Sequence, residues 1–412
     1  MEDKIPQSAI DSIAKYINER TSKSYSIPVV GNESNSETPQ IFEIISFGEI
    51  DKGTWKVYAI DGSINSHSFY NGVSIGLYRG GYVCFQLGKQ VRMNDLSDPV
   101  FLGKSYTPIN ILITTQEHLD AIYDELLALE PVNNFLIFLG SKTEEIFPYK
   151  KEIICQSLAT LLAFCQEVLE WSLVYEVANR PEIEAGDFIL LDGDLRSVQI
   201  KQEFLVKLGK FLHEKEVYLL GITKNSPIKM ELSYTFRQID SYLQDKLKPQ
   251  YPFKENDSKR QKLCCWLEAS GPILLNAYGG SSSGMFIRKA LKGGRGIGLF
   301  FAARLDYVEK LQNYDWIVAD VNIFDAIPGI EKNDQTRDMK KLKYIFTELT
   351  RLTQEHYILG YPYPLVEAHI FVTLKSGFKE EVINRVKQSM YLAQHMDHVD
   401  IENMFLDIHS RF

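Results

Sequence analysis

The stretch Phe188-Ile189-Leu190-Leu191-Asp192-Gly193-Asp194-Leu195, "FILLDGDL", decides how this chain is read. Four apolar residues run directly into an acid, the pattern of a buried strand. A helical period over 199–214 follows, and then a second apolar run, "VYLLGIT", at 217–223. Strand, helix and strand at this spacing make a crossover unit, so the two strands are expected to lie parallel in one sheet.

A second stretch repeats the ending: "VYAIDGS", Val57 to Ser63. Asp-Gly is a common hairpin signal, and each pair can be read as no more than a turn. Two features weigh against that. After Asp61 the run "GSINSHSFYNG" is too long for a two-residue hairpin, and after Asp192 a helix follows rather than a returning strand. Strands are expected over 55–60, 72–78 and 81–87, with "YRGG" (78–81) as a tight turn, so that Asp61 ends the first strand of a meander. If the strands carrying Asp61 and Asp192 are neighbours, both carboxylates stand at one sheet edge. Hard Mg²⁺ or Mn²⁺ takes oxygen ligands, and phosphodiester hydrolysis uses carboxylates that converge from different elements. That is the layout of an α/β, ribonuclease H-like mixed sheet flanked by helices.

The rest of the chain elaborates this core. Residues 8–20 have a helical period with Ser8 as a cap, and 30–40 form a polar loop, so 1–40 is set apart as an N-terminal arm. Residues 41–412 are read as one domain, with core strands about 55–225 and a C-terminal motif about 357–375. "INILITT" and "NFLIFLG" fit either strands or buried helix. A helix is expected over 150–179, with Ile153, Leu158, Leu161, Leu162, Leu169, Leu173 and Val177 near one stripe. "IGLFFAARL" and "WIVADVNIF" read as strands, and 336–357 and 378–394 as helices.

Composition narrows the function. A net charge of -9 gives no global basic field, so nucleic acid would need a local basic surface or a partner that supplies one. Five cysteines without a CxxC pair fit a reducing cytoplasm better than a disulfide framework. No apolar signal core and no window of 18 apolar residues is read, so a cytoplasmic protein without a membrane segment is expected. "GGRGIG" (293–298) lacks the surrounding βαβ unit of a dinucleotide site, and no Walker A lysine exists, so ATP hydrolysis would belong to a partner. His395, His398 and His409 with Asp397 and Asp400 read as a solvated C-terminal segment. Basic residues gather at Arg337, Lys340, Lys341 and Lys343, and in "RKALKGGRG" (288–296), the first candidate for a DNA-contacting loop.

A third carboxylate is sought on the helix before "FILLDGDL". Glu170 lies among apolar neighbours in "VLEWSLVYEV", and Glu176 is the alternative. Asp194 could add a further ligand, but an exposed helix-capping role is expected.

"YAIDGS", "EWSLVYE", "FILLDGDL", "LLGITKNS" and "YPYPLVEAH" stand in the order found in NurA nucleases, and the chain resembles that family over roughly 40–375. The resemblance implies a ribonuclease H-like core, a homodimer and Mn²⁺- or Mg²⁺-dependent DNA cleavage beside a HerA-type hexameric ATPase. The role implied is end processing in repair or antiviral defence, by a 5′-to-3′ exonuclease that also cuts single strands. Residue by residue, Asp61, Glu170, Asp192 and His369 resemble the family's metal-binding set. Tyr361 resembles its substrate-positioning tyrosine, and Lys224 a lysine that neutralises the scissile phosphate. Two other readings stand beside this one: a non-catalytic dimeric module docked on a ring ATPase, and a ribonuclease H-like enzyme acting on RNA.

Overall fold

The computed structural model describes residues 7–22, 42–45, 55–69, 73–86, 89–90, 103–106, 109–113, 116–223, 225–247, 264–269, 296–306, 316–332, 334–355, 360–374, 376–393, 399 and 401–402. The strands are β1 (Phe42–Ile44), β2 (Lys56–Ser68), β3 (Val73–Gln86), β4 (Lys89–Gln90), β5 (Gly103–Tyr106), β6 (Ile109–Ile113), β7 (Phe188–Asp192), β8 (Tyr218–Thr223), β9 (Cys265–Glu268), β10 (Gly298–Arg304) and β11 (Ile317–Asn322). The helices are α1 (Gln7–Thr21), α2 (Gln116–Ala128), α3 (Glu130–Leu139), α4 (Thr143–Ile146), α5 (Lys151–Ile154), α6 (Leu158–Ala178), α7 (Gln202–Glu214), α8 (Pro227–Leu247), α9 (Ile323–Ala326), α10 (Met339–Glu355), α11 (Tyr363–Val372) and α12 (Ser376–Ala393).

Among the described residues, eleven strands join one sheet in the order β1-β9-β10-β11-β8-β7-β2-β3-β4, with β5 and β6 also pairing β3. The expected crossover is present: β7 and β8 are parallel, Phe188 facing Tyr218 and Asp192 facing Ile222. β2 lies parallel to β7 on its other side, from Val57 beside Phe188 to Ile60 beside Leu191. β3 is antiparallel to β2, and β6 antiparallel to β3. Antiparallel β6-β3-β2 continued by parallel β7-β8, with α6 and α7 as the crossovers, is a ribonuclease H-like core. β11, β10, β9 and β1 extend it as an antiparallel wing.

Side-chain alternation assigns the two faces. Tyr58, Ile60, Ile189 and Leu191 pack toward α2, α3, α6 and α7. Val57, Ala59, Phe188 and Leu190 pack on the other side, toward α10 and α11. Helix α6 starts at Ser157, whose hydroxyl accepts a hydrogen bond from the Thr160 backbone N–H. By length and composition α6 is apolar enough to cross a membrane, which the sequence reading did not foresee. Here it is a core helix, with most of its residues from Leu161 to Ala178 buried against the sheet and its neighbouring helices. Each buried leucine on it contributes roughly 1.5–3 kcal/mol of hydrophobic stabilisation.

The largest departure from expectation lies in β2 and β3. "YRGG" is no hairpin: residues 78–81 are interior to one 14-residue strand. Nor does the first strand end at Asp61, since β2 continues to Ser68. Gly62 and Gly80 are cross-strand partners in this ribbon, without positive φ. A Cβ on Gly80 would press on Leu169 of α6 at 2.8 Å, and one on Gly76 on Leu158 at 2.7 Å. The glycines give α6 a close seat on the sheet; they do not turn the chain.

Smaller differences follow from burial and capping. "NFLIFLG" is the end of α3, closed by Gly140 at φ 72, and "INILITT" contains β6. The helix expected over 150–179 is broken at Cys155–Ser157 into α5 and α6, and Ile153 is exposed. Ser8 falls inside α1 rather than before it. "WIVADVNIF" is strand only to Asn322, whose side chain then caps α9. The polar loop at 30–40 and residues 395–398 and 409 lie outside the described residues.

Candidate metal centre at the β2–β7 edge

The β2–β7 register carries the site. Ile60 stands beside Leu191, so Asp61 and Asp192 come next on adjacent parallel strands. Alternation puts both on the face covered by α11, the side of Val57, Ala59, Phe188 and Leu190. Asp192 ends β7, whereas Asp61 is held within β2 by pairing with Gly81 of β3. The two Asp-Gly pairs therefore differ. Gly193 has φ 144 and leaves the sheet in a conformation that favours glycine, whereas Gly62 continues the strand.

Helix α11 brings the third member. Pro362 precedes it, Pro364 occupies its first turn, and His369 lies nearly two turns in. His369 Nδ1 is 2.8 Å from Asp61 Oδ2. With Asp61 ionised, Nδ1 is the donor and Nε2 keeps its lone pair. One ligand atom each from Asp61, Asp192 and His369 lies within 4.8 Å of the others. The imidazole is 57% exposed, so this side of the group is open to solvent, while Asp61 is buried.

Tyr361, buried just ahead of α11, donates its hydroxyl to Asp192 Oδ1 at 2.8 Å and approaches the Ile222 carbonyl at 3.3 Å. It thereby ties Asp192 to β8. Burial, followed by the charge of Asp192, holds the Tyr361 phenol well above its ordinary value, so it stays a donor. Tyr363 packs edge-on against Phe85 and anchors the start of α11 on β3. Burial and then the Asp192 charge push the Asp61 carboxyl up to about 6, against hydrogen bonds from His369 and the Gly62 N–H.

Glu170 comes from α6, on the opposite face of the sheet, and reaches the edge over Gly62. A Cβ on Gly62 would collide with Glu170 Oε1 and lie 2.8 Å from Gln166 Cγ. Glu170 is not among the three side chains that gather within 4.8 Å. Its carboxyl is pushed up to about 8, first by burial, with Asp61, Glu167 and Asp192 adding negative charge nearby. The alternative, Glu176, sits farther along α6, where Tyr82 donates to it at 3.5 Å.

Asp194 is not an exposed cap. Helix α7 begins at Gln202 after Lys201, and burial raises the Asp194 carboxyl. The chain after Asp192 folds over Gly221, where a Cβ would meet the Gly193 carbonyl oxygen at 2.6 Å. Buried Asp320 of β11 receives the Leu195 N–H at 3.0 Å beneath it, and burial with the charge of Asp194 raises the Asp320 carboxyl too. Glu167 accepts from the Ser197 hydroxyl and from the Val198 N–H at 2.8 Å, fixing the next residues. Gln166, Gly62 and Asp320 are site neighbours that were not expected from the sequence. The i,i+4 spacing of Gln166 and Glu170 was a usable signal, as was the lone acid in "IVADVN".

Lys224 and most of "RKALKGGRG" lie outside the described residues; its last residue, Gly296, bridges Arg196. The other basic cluster is largely engaged in ion pairs. Arg337 makes a forked pair with buried Glu268, Lys341 meets Asp325 at 3.3 Å, and Lys343 meets Glu43 at 3.3 Å.

No protein-family model matches the chain, and no curated protein matches it. Among solved structures, the chain is similar to the NurA nuclease from Sulfolobus solfataricus, at 16% identity and TM-score 0.44, over 95% of this chain and 96% of that one. A second NurA structure aligns at 13% identity and TM-score 0.37, over 96% and 99%. The catalytic domain of human endonuclease V aligns at 11% identity and TM-score 0.31, over 93% and 99%.

Proposed function

We propose that this protein is a divalent-metal-dependent deoxyribonuclease. The observation that carries the reading is the convergence of Asp61 and Asp192 on adjacent parallel strands, with His369 within 4.8 Å. Two carboxylates and an imidazole form an oxygen-rich donor set that suits Mn²⁺ or Mg²⁺. Burial first, and then the charge of Asp192, raise the Asp61 carboxyl, and a divalent ion held there would favour the ionised form against both. Asp61, Asp192 and His369 would hold that ion, with Glu170 completing the set from α6.

A divalent ion in this position supplies positive charge for phosphate oxygens and a more acidic bound water. The chain's own groups do the positioning. Tyr361 fixes the rotamer of Asp192 by its 2.8 Å hydrogen bond. His369, with Nδ1 on Asp61, has Nε2 left on the solvent side, either to ligate the ion or, in place of that, to orient the attacking water or the leaving oxygen. Lys224, in "GITKNS", is the cation proposed to face the scissile phosphate. The sequence resemblance supports DNA as substrate, action at ends, a homodimer, and a HerA-type ATPase that adds DNA-gripping surface to a chain of net charge -9, whose own candidate DNA-contacting loop is "RKALKGGRG".

The test is cleavage of end-labelled single- and double-stranded DNA and of matched RNA, in Mn²⁺, Mg²⁺ or EDTA. It compares wild type with Asp61→Ala and Asp192→Ala, each checked by circular dichroism. DNA cutting that needs the metal and is lost in both folded variants is expected. Cutting of RNA alone, or none with or without the ATPase, overturns the reading.

A further inference from the structure

Gln166 lies one turn before Glu170 on α6, so the two side chains share a face. Its Nε2 is 2.9 Å from Glu170 Oε1 and 3.2 Å from the carbonyl oxygen of Gly62. Both partners are acceptors when Glu170 is ionised, so the amide must present its NH₂ end, and its two N–H groups match the two acceptors. Among the described residues this is the one hydrogen bond that Glu170 receives, although its carboxyl lies in a desolvated place. Gly62 follows Asp61 directly, and its missing side chain leaves room for the Gln166 Cγ. Gln166 thus forms a strut with one end on the strand that carries Asp61 and the other on the helix carboxylate.

We propose that Gln166 is a positioning residue for the metal centre: by bridging the Gly62 carbonyl and Glu170, it sets how the α6 carboxylate meets an ion held by Asp61, Asp192 and His369. The inference rests on the reading of Glu170 as part of that centre. Without the strut, the glutamate side chain regains rotamer freedom and must be ordered each time a cation binds. The effect should therefore appear in metal affinity and be transmitted through Glu170 alone.

The experiment measures Mn²⁺ binding by calorimetry and by electron paramagnetic resonance of free Mn²⁺. The proteins are wild type, Gln166→Met, Glu170→Gln and the double variant, with kcat and KM for DNA recorded in parallel. Methionine keeps the length of glutamine and removes both donors; Gln166→Leu replaces it should the methionine variant misfold. Gln166→Met is expected to weaken Mn²⁺ binding about 10-fold, the lower end of what losing an outer-shell partner costs. KM for DNA should stay unchanged, and Gln166→Met should have no further effect in the Glu170→Gln background. Unchanged Mn²⁺ affinity in Gln166→Met overturns the inference and leaves the metal centre standing. An equal loss with and without Glu170 also overturns it, because the amide would then act through general packing. A wild type that binds no Mn²⁺ overturns the metal centre itself, and the inference with it.

Discussion

Glu170 occupies the space that a side chain on Gly62 would need: a Cβ there would collide with Glu170 Oε1 and crowd Gln166 Cγ. An acid on α6 thereby reaches, across the edge of the sheet, the neighbourhood of two aspartates on the other face. Gly62→Ala tests this clearance. The strand conformation tolerates alanine, so the cost comes from displaced side chains and should be about 1–3 kcal/mol. Nuclease activity should fall further than that loss of stability accounts for. Denaturant titration and cleavage rates on the same preparation separate the two effects.

Tyr361→Phe removes one hydroxyl from a buried site and leaves the ring. Asp192 loses its 2.8 Å donor, and the Ile222 carbonyl loses a neighbour. A hydrogen bond to a charged group contributes about 1.5–3 kcal/mol, so a stability loss in that range is expected. Metal-dependent cleavage should drop by about 10- to 100-fold, as for other groups that orient a metal-binding carboxylate. Thermal melts and rates across a Mn²⁺ titration would show whether added metal restores part of the loss.

The site should also make the metal-free protein sensitive to pH. Glu170 is pushed up to about 8 and Asp61 to about 6, both above the usual carboxylate range. The folded protein therefore keeps protons that the unfolded chain has already released, and stability falls as pH rises. For Asp61 the fall runs from roughly pH 4 to about 6, and for Glu170 from roughly pH 4 to about 8. Melts in EDTA between about pH 5 and 8 should show a declining midpoint. Glu170→Gln should flatten the part above pH 6, and saturating Mn²⁺ should reverse the slope, because cation binding displaces the protons. A midpoint independent of pH in EDTA would contradict the burial assigned to these carboxyls.

Much of this core was legible in the sequence. An uninterrupted apolar run ending in an acid marked β7, and the crossover spacing made β8 parallel to it. Both follow from local pattern. The fate of "YRGG" was not legible, because a glycine pair in a strand-like run has the same letters whether it turns the chain or admits a helix. That choice was made by α6, later in the chain, through Leu169. The same ambiguity covered the two Asp-Gly pairs, of which only Gly193 needs the conformational freedom of glycine. Asp194 was expected as an exposed helix cap; it is half-buried because the chain around it folds over Gly221 of β8 and onto Asp320 of β11, contacts no local pattern announces.

The central proposal is that Asp61 and Asp192 form the two walls of one cation site. The most direct measurement is anomalous diffraction near the manganese edge from crystals grown in millimolar Mn²⁺. A peak bounded by Asp61, Asp192 and His369 is expected, and it should disappear in Asp192→Asn. Ordered crystals with no peak between these side chains, or with manganese bound only elsewhere, would contradict it.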